Sequence, residues 1–220
     1  MPTTIVPDKK HLKLFTLFTK WQHKEVALSI ISAGFLFLIS LVINYLAGTY
    51  ATIRAGNPVS DIILDNIPTF DVDGIFIYGI ITFFIFVSGL VFWKPRNAPF
   101  ILKSMSLFII IRSIFISLTH IGPQAEAITI SPNSIANLFT FTGDLFFSGH
   151  TGLPFLMALT FWKNKYLRAI FLFFSIILGT VTLLGHLHYS IDVFAAFFIT
   201  YGIYDLSLIL FKKEYNYIRF

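Results

Sequence analysis

Long apolar stretches that contain few or no charges determine what this chain can fold into. The hydrocarbon core of a bilayer is about 30 Å thick, and a helix crosses it with about 20 mostly apolar residues. Six segments of the 220-residue chain have this character. They cover residues 26–48, 74–93, 104–121, 145–162, 169–185 and 190–211. The pattern predicts an all-α, polytopic membrane protein with six transmembrane helices.

The composition excludes the main alternatives to a membrane protein. Charged residues make up 12% of the chain and hydrophobic residues 56%, whereas about a quarter of the residues in a soluble domain are charged. With 18% aromatic residues the chain is too apolar to be disordered. It has no cysteine, which excludes a disulfide scaffold, thiol chemistry and cysteine-ligated metal.

The distribution of basic residues predicts the orientation of the spans. Lysine and arginine accumulate in cytoplasmic segments, and 14 of the 16 here lie in the N-terminal arm, in the 94–103 and 163–168 connections and in the tail. The opposite loops are acidic and include Asp61 and Asp144. We therefore expect both termini in the cytoplasm. The net charge of +5 then reflects orientation and anionic headgroups rather than nucleic-acid binding.

The N-terminal arm has features of its own. Residues 1–25 lack a secretory signal peptide, which predicts that the first span is an uncleaved signal-anchor. Leu12, Phe15, Phe18 and Trp21 recur at helical spacing among lysines, a pattern typical of an interfacial helix; a frayed, solvated arm is the alternative. With no internal repeat, we expect a cytoplasmic amphipathic arm at 1–25, one six-span domain at 26–211 and a basic cytoplasmic tail at 212–220.

Ionisable residues inside the apolar stretches indicate where function lies. Each costs at least ~2.5–3.5 kcal/mol at a helix centre, so each needs a partner or a function. The predicted topology brings five of them toward the non-cytoplasmic leaflet: Arg112, His150, His186, His188 and Asp192. On a helix, His188 and Asp192 would share a face, so the carboxylate could accept the ring N–H and make the other nitrogen more basic.

These residues fit a metal-free phosphoryl-transfer site. An oriented neutral imidazole attacks phosphorus, and a second histidine protonates the departing oxygen. Arg112 offers a fork of donors for phosphate. The segment Ser148-Gly149-His150-Thr151 opens a helix, whose free N–H groups favour an anion, and Gly149 permits close approach. Each residue alone also has an ordinary explanation, such as an interfacial histidine or a snorkelling arginine.

Two other classes of function use the same residues. Buried ionisable groups line the proton or ion pathways of transporters, although such sites lie near mid-membrane and usually accompany repeats. The set His150, His186, His188 and Asp192 also resembles a metal-ligand set.

Two motifs toward the end of the chain are distinctive. Residues 185–193 (GHLHYSIDV) are similar to the pattern His-Tyr-Thr-x-Asp-Val, and residues 142–151 (TGDLFFSGHT) are similar to Cys-Gly-Asp-x-x-x-Ser-Gly-His-Thr. Both resemble motifs of sphingomyelin synthases, a branch of the type 2 phosphatidic-acid phosphatase superfamily. Arg112-Ser113 and the segment 58–61 (PVSD) are similar to earlier synthase motifs. The phosphatase pattern fits less well, because Phe147 replaces proline, Val181-Thr182 replaces Ser-Arg and Met105 replaces lysine.

The resemblance implies a six-span lipid phosphotransferase that needs no cofactor. It implies a catalytic triad of His150, His188 and Asp192, with His188 as nucleophile and Asp192 orienting it. Substrate or phosphate contacts are expected from Arg112, Asp144, Ser148, Gly149 and Thr151, and Asp61 is expected near the headgroup or acceptor. The partners would be a phospholipid donor and a lipid alcohol acceptor at the non-cytoplasmic leaflet. A lipid-phosphate phosphatase, in which water is the acceptor, remains the alternative within this class.

Overall fold

The computed structural model describes the backbone of residues 9–128 and 143–218 and the side chains of 24–128 and 143–218. Within these ranges every long regular element is a helix. The α-helices are α1 (Lys9–Arg54), α2 (Asp73–Trp93), α3 (Ala98–Leu118), α4 (Gly149–Thr160), α5 (Lys165–Leu184), α6 (Ser190–Leu210) and α7 (Lys212–Tyr215). Short 3-10 helices lie at Leu64–Asn66 and Pro95–Asn97.

Five helical segments are long and apolar enough to cross a membrane. They are Lys24–Arg54, Asp73–Trp93, Pro95–Leu118, Lys165–Leu184 and Ser190–Leu210. Their outward faces carry large apolar side chains such as Ile85 and Phe198, which are 68% and 80% exposed. Apolar faces of this kind are stable against lipid, so the helices are consistent with an integral membrane protein.

The predicted fourth span, 145–162, differs from the other five. Its helix, α4, has 12 residues and is therefore only about 18 Å long. Nine of these residues are buried, because α4 packs against α3, α5 and α6. The chain before it, 143–148, is not helical, and irregular backbone is tolerated at membrane depth where protein surrounds it. Six full spans are therefore not confirmed, since hydropathy does not distinguish a buried central helix from a spanning one.

The N-terminal arm continues into the first span without a break. Helix α1 runs from Lys9 through residue 25, the predicted end of the arm, to Arg54. The side chains of Leu12, Phe15, Phe18 and Trp21 lie outside the described residues, so the interfacial helix stays a prediction.

Contacts around Glu214 join three segments at the end of the bundle away from α4's first turn. Its carboxylate accepts hydrogen bonds from Ser29 Oγ at 3.1 Å and from Lys103 Nζ at 2.5 Å. Burial by itself raises the pKa of Glu214, but the bonds from Lys103 and Ser29 outweigh it and hold the pKa below its usual value. The start of α1, the 94–103 connection and the tail thus share one end, and their cytoplasmic location stays a prediction.

Tight packing holds α4 in place. A Cβ built on Gly152 would lie 2.6 Å from the ring of Phe108 on α3 and 2.8 Å from Thr200 Oγ1 on α6. Ser175 Oγ on α5 donates to the Thr151 carbonyl at 2.8 Å. Because three helices pack around α4, the bundle sets the direction in which the N-terminus of α4 points.

Candidate active site

Three segments meet at the N-terminus of α4: the 143–148 chain that precedes it, the turn between α5 and α6, and the C-terminal part of α3. The backbone N–H of Ser148 donates to the Asp192 carbonyl at 3.0 Å. The ring nitrogen Nδ1 of His188 lies 3.0 Å from the Leu145 carbonyl oxygen. These two bonds join the start of α4 to the start of α6, and with them the predicted site residues.

The pairing of His188 with Asp192 has a different basis from the expected one. His188 lies in the turn before α6 rather than on a helix, and its Nδ1 is 3.5 Å from Asp192 Oδ2. The shorter contact is to Leu145, whose carbonyl can only accept, so Nδ1 must carry the proton in this hydrogen bond. The lone pair of the neutral ring is then on Nε2. The tautomer is fixed by a main-chain carbonyl, with the carboxylate close by.

Asp192 also organises the backbone of the turn. It occupies the third position of α6, and its Oδ2 accepts the N–H of Tyr189, the residue before the helix, at 3.0 Å. A carboxylate that reaches back in this way satisfies a free amide of the first turn. Asp192 is only 1% exposed, so water does not compete for this hydrogen bond. The bond therefore fixes the turn that carries His188.

His150 lies on the first turn of α4. Its ring stacks on Phe76 of α2, with centroids 4.0 Å apart, and it is close enough to His188 and Arg112 to interact with both electrostatically. Its Nε2 is buried and has no hydrogen-bond partner among the described residues. A buried polar atom without a partner is costly, so this nitrogen is available to a bound molecule.

Arg112 is held by the chain that leads into α4. Its Nε donates to the Phe147 carbonyl at 2.9 Å and its Nη1 to Asp144 Oδ2 at 2.6 Å. Phe147 adopts a φ of 29°, a conformation that costs a bulky residue about 1–3 kcal/mol. Its ring is fully buried, and this packing holds the strained backbone that directs the carbonyl at Arg112.

The start of α4 leaves backbone donors free beside this arginine. Ser148 caps the helix, because its Oγ accepts the Thr151 N–H at 3.4 Å. Within the described residues, no hydrogen bond takes up the N–H groups of Gly149 and His150. Two free amides next to a guanidinium form a suitable environment for an anion. Of the residues expected to contact phosphate, Ser148 uses its Oγ in this cap, whereas Thr151 Oγ1 is buried and has no hydrogen-bond partner among the described residues.

We predict that Gly149→Ala lowers activity while leaving stability unchanged or slightly higher. A Cβ at this position would lie 3.5 Å from Arg112 Nε, an ordinary contact, and alanine favours a helix over glycine by about 1 kcal/mol. The methyl group would occupy the space between the free amides and Arg112. Steady-state kinetics and thermal unfolding in detergent measure the two effects, and wild-type kinetics in this variant would show that no ligand uses that space.

Asp61 has a role that the sequence did not reveal. It was expected near the headgroup or acceptor, but its Oδ2 accepts the N–H of Ser190, the first residue of α6, at 2.7 Å. Its Oδ1 accepts the N–H groups of Ile63 and Leu64 at 2.9 and 3.2 Å. The carboxylate thus ties the loop between α1 and α2 to the helix that carries Asp192. The PVSD motif singled out Asp61, but Ser190, its hydrogen-bond partner, is 129 residues away in the chain.

We predict that Asp61→Asn lowers stability by about 0.5–2 kcal/mol at neutral pH, as for loss of a helix cap. Burial raises the pKa of Asp61, but the hydrogen bonds from the N–H groups of Ser190, Ile63 and Leu64 outweigh this effect and hold the pKa below the usual value of an aspartate side chain. A carboxylate whose pKa is lower in the folded state than in the unfolded state stabilises the protein at pH values above the unfolded-state pKa. This stabilisation is lost as the pH falls through the folded-state pKa. Unfolding measured between about pH 3 and about pH 7 should show a smaller acid-dependent loss of stability in the variant than in the wild type.

The metal-site alternative requires His186 to join the other histidines. Its Nδ1 instead lies 3.3 Å from Thr69 Oγ1, at a left-handed backbone position with φ of 53°. Across the part of the chain that is described, no group of three or more histidine, aspartate or glutamate side chains is arranged to hold a metal ion.

A family comparison bears directly on these segments. Residues 142–208 match the family model described as PAP2 superfamily C-terminal. The match supports a relationship of this chain to the PAP2 superfamily. It covers less than a third of the chain and includes Asp144, His150, His188 and Asp192, while Arg112 lies outside it. It does not distinguish the sphingomyelin synthase-like branch. No curated protein and no solved structure gives a significant match.

Proposed function

We propose that the chain is a membrane lipid phosphotransferase that moves a phospho-headgroup between lipids through a phosphohistidine. His188 Nε2 attacks phosphorus, and the bond from phosphorus to the oxygen of the donor's lipid alcohol breaks. His150 protonates that oxygen, then removes the proton from an acceptor hydroxyl. The acceptor oxygen attacks the phosphohistidine and releases His188. The observation that carries this proposal is the Leu145 carbonyl contact, which leaves the lone pair of His188 on Nε2.

The surroundings of His150 and Arg112 support the same chemistry. The unpartnered Nε2 of His150 is buried beside the free amides of α4, where a phosphate would both accept hydrogen bonds and favour the protonated imidazole. Arg112 stands next to Gly149 and can stabilise charge that develops on the phosphoryl oxygens.

The charge balance favours a phosphodiester donor over a phosphomonoester. Among the described lysine and arginine side chains, Arg112 alone is buried, and Asp144 already pairs with it. A phosphomonoester carries a second charge near neutral pH, so it would need additional cations. A phosphodiester carries one charge, which Arg112 and two amides suit better. This favours transfer from a phospholipid over hydrolysis of phosphatidic acid.

The position of the polar residues supports an enzyme more than a transporter. Arg112 lies in the last third of α3, and His150 and Asp192 lie in the first turns of α4 and α6. They therefore gather toward one end of the bundle, whereas coupling sites of transporters lie near the bilayer midplane. We propose that this end faces the non-cytoplasmic leaflet, as the lysine distribution predicts.

Product analysis tests the proposal. Purified protein in liposomes should receive phosphatidylcholine, phosphatidylethanolamine or phosphatidic acid as isotopically labelled donors, each with ceramide or diacylglycerol as acceptor. We expect mass spectrometry to find the labelled headgroup on the acceptor, and not with a catalytically inactive His188→Ala control. Free phosphate from phosphatidic acid as the main product would instead identify a phosphatase. Absence of turnover with every donor would contradict both activities.

A further inference from the structure

A cleft between α1 and α3 opens at the same end of the bundle as the candidate active site. Its volume is about 460 Å³. The wall on α1 includes Ile43, Ala47 and Tyr50, and the wall on α3 includes Ser113 and Leu118. Both walls belong to candidate membrane spans, so the cleft faces lipid. An apolar cleft in this position is suited to a hydrocarbon chain.

One polar group in the cleft wall is unexplained. Ser113 is 2% exposed, and its Oγ finds no hydrogen-bond partner within the described residues. Ser117, one turn further along the cleft, already donates to the Ser113 carbonyl at 2.8 Å. Serine has three staggered χ1 positions, so the Ser113 hydroxyl can turn toward the cleft that its side chain lines. It is a free donor in apolar surroundings.

The cleft is next to the reacting groups. Ser113 follows Arg112 directly in the chain. Ile116 of α3 packs with Ala47 and Ala51 of α1, and Phe146 covers this cluster. Phe146 belongs to the same 143–148 segment that holds Arg112 and His188. A lipid in the cleft would therefore have its headgroup end close to Arg112.

We propose that the cleft holds an acyl chain of the lipid substrate and that Ser113 Oγ donates a hydrogen bond to the ester or amide carbonyl of that chain. The inference rests on the proposed function, because it makes the cleft the lipid-tail part of that site. The carbonyl oxygen of an acyl chain can accept a hydrogen bond and is followed by methylene groups, which suits a free hydroxyl in an apolar wall. The cleft is thus a specificity element for acyl lipids over alkyl-ether lipids.

A kinetic comparison of ester and ether lipids tests the role of Ser113. Diacyl and dialkyl-ether phosphatidylcholine differ at the carbonyl, so only the diacyl lipid offers the hydroxyl a carbonyl acceptor. Loss of one such bond corresponds to about a three- to tenfold effect. We expect Ser113→Ala to raise KM for the diacyl donor by this factor, with kcat nearly unchanged, and to leave the ether donor unaffected.

The matched control is Ser106→Ala. Ser106 lies two turns earlier on α3 and is buried, but its Oγ already donates to the Leu102 carbonyl at 2.6 Å. This variant also loses one hydroxyl from the same helix, yet it should leave the preference for diacyl over ether lipid intact. Equal losses for both lipids in Ser113→Ala, or no loss for either, would overturn the proposal.

A labelling experiment separates this inference from the proposed activity. Liposomes of dialkyl-ether phosphatidylcholine should contain a small fraction of diacyl phosphatidylcholine with a photoreactive diazirine in its acyl chain. We expect labels to be enriched on residues 43–50 and 113–118 over the lipid-exposed Ile85 and Phe92 of α2, and Ser113→Ala to lower the enrichment by about three- to tenfold. Enrichment without turnover would contradict the proposed function and support the cleft. Equal labelling of all spans would overturn the cleft site.

Discussion

Replacing His188 with alanine is expected to lower turnover by at least about 10³-fold, as removal of a covalent nucleophile does. The Leu145 carbonyl and Asp192 hold this ring at Nδ1, which leaves Nε2 to attack phosphorus. A donor radiolabelled at phosphorus should leave an acid-labile, alkali-stable label on the wild-type protein during a single turnover. The label should be absent from His188→Ala.

A second histidine at the same end of the bundle provides the control. His120 is exposed and its ring contacts Tyr50 in the cleft wall rather than the reacting groups, so His120→Ala should retain the label and turnover at saturating donor. His150→Ala should slow formation and decay of the label without preventing it, because it exchanges protons rather than binding phosphorus. Label that persists in His188→Ala and disappears in His150→Ala would show that the two roles are reversed.

Removing Arg112 is expected to affect both stability and activity. Arg112→Met leaves the Asp144 carboxylate and the Phe147 carbonyl without their donor, and loss of one member of a buried ion pair costs about 3–5 kcal/mol. Transition-state charge on the phosphoryl oxygens would lose its cation, which lowers turnover by about 10²–10³-fold. Thermal unfolding in detergent and the headgroup-transfer assay measure the two losses.

The double variant Arg112→Met, Asp144→Leu separates these effects. It removes both charges, so we expect it to recover much of the stability that Arg112→Met loses, because an apolar pair can replace a buried ion pair. Its activity should stay as low as that of Arg112→Met. Arg112→Lys keeps the charge but not the planar fork of donors and should be intermediate. Wild-type turnover in the double variant would exclude Arg112 as the phosphate-binding cation.

The helices could be predicted from the sequence because the hydrocarbon core places the same requirement on the backbone of every residue in a span. Backbone N–H and C=O groups have no water to bond in the hydrocarbon core, so a long apolar stretch must be helical. That rule predicted the segments of α2, α5 and α6 to within a few residues of their observed bounds. A full span at α4 is not confirmed, because the length of a helix surrounded by protein depends on packing rather than on bilayer thickness.

The residues of the candidate site could also be predicted from the sequence, but the contacts between them and their partners could not. An ionisable residue in an apolar stretch is conspicuous whatever the fold, which is why Arg112, His150, His188 and Asp192 were selected. Their partners are ordinary groups: the carbonyls of Leu145 and Phe147 and the carboxylate of Asp144. A main-chain carbonyl leaves no mark in a sequence, so nothing could identify Leu145 as the partner of His188.

The sequence by itself determined that the chain is helical and apolar, and which rare ionisable residues require an explanation. Both follow from the free energy of placing single residues in lipid, which depends on residue type and neighbours along the chain. Only the tertiary structure decided that Asp144 pairs with Arg112, that Asp61 caps α6 and that the cleft beside Ser113 exists. Those contacts join atoms that are 32 to 129 residues apart, and their energies depend on distances that only the packed bundle defines.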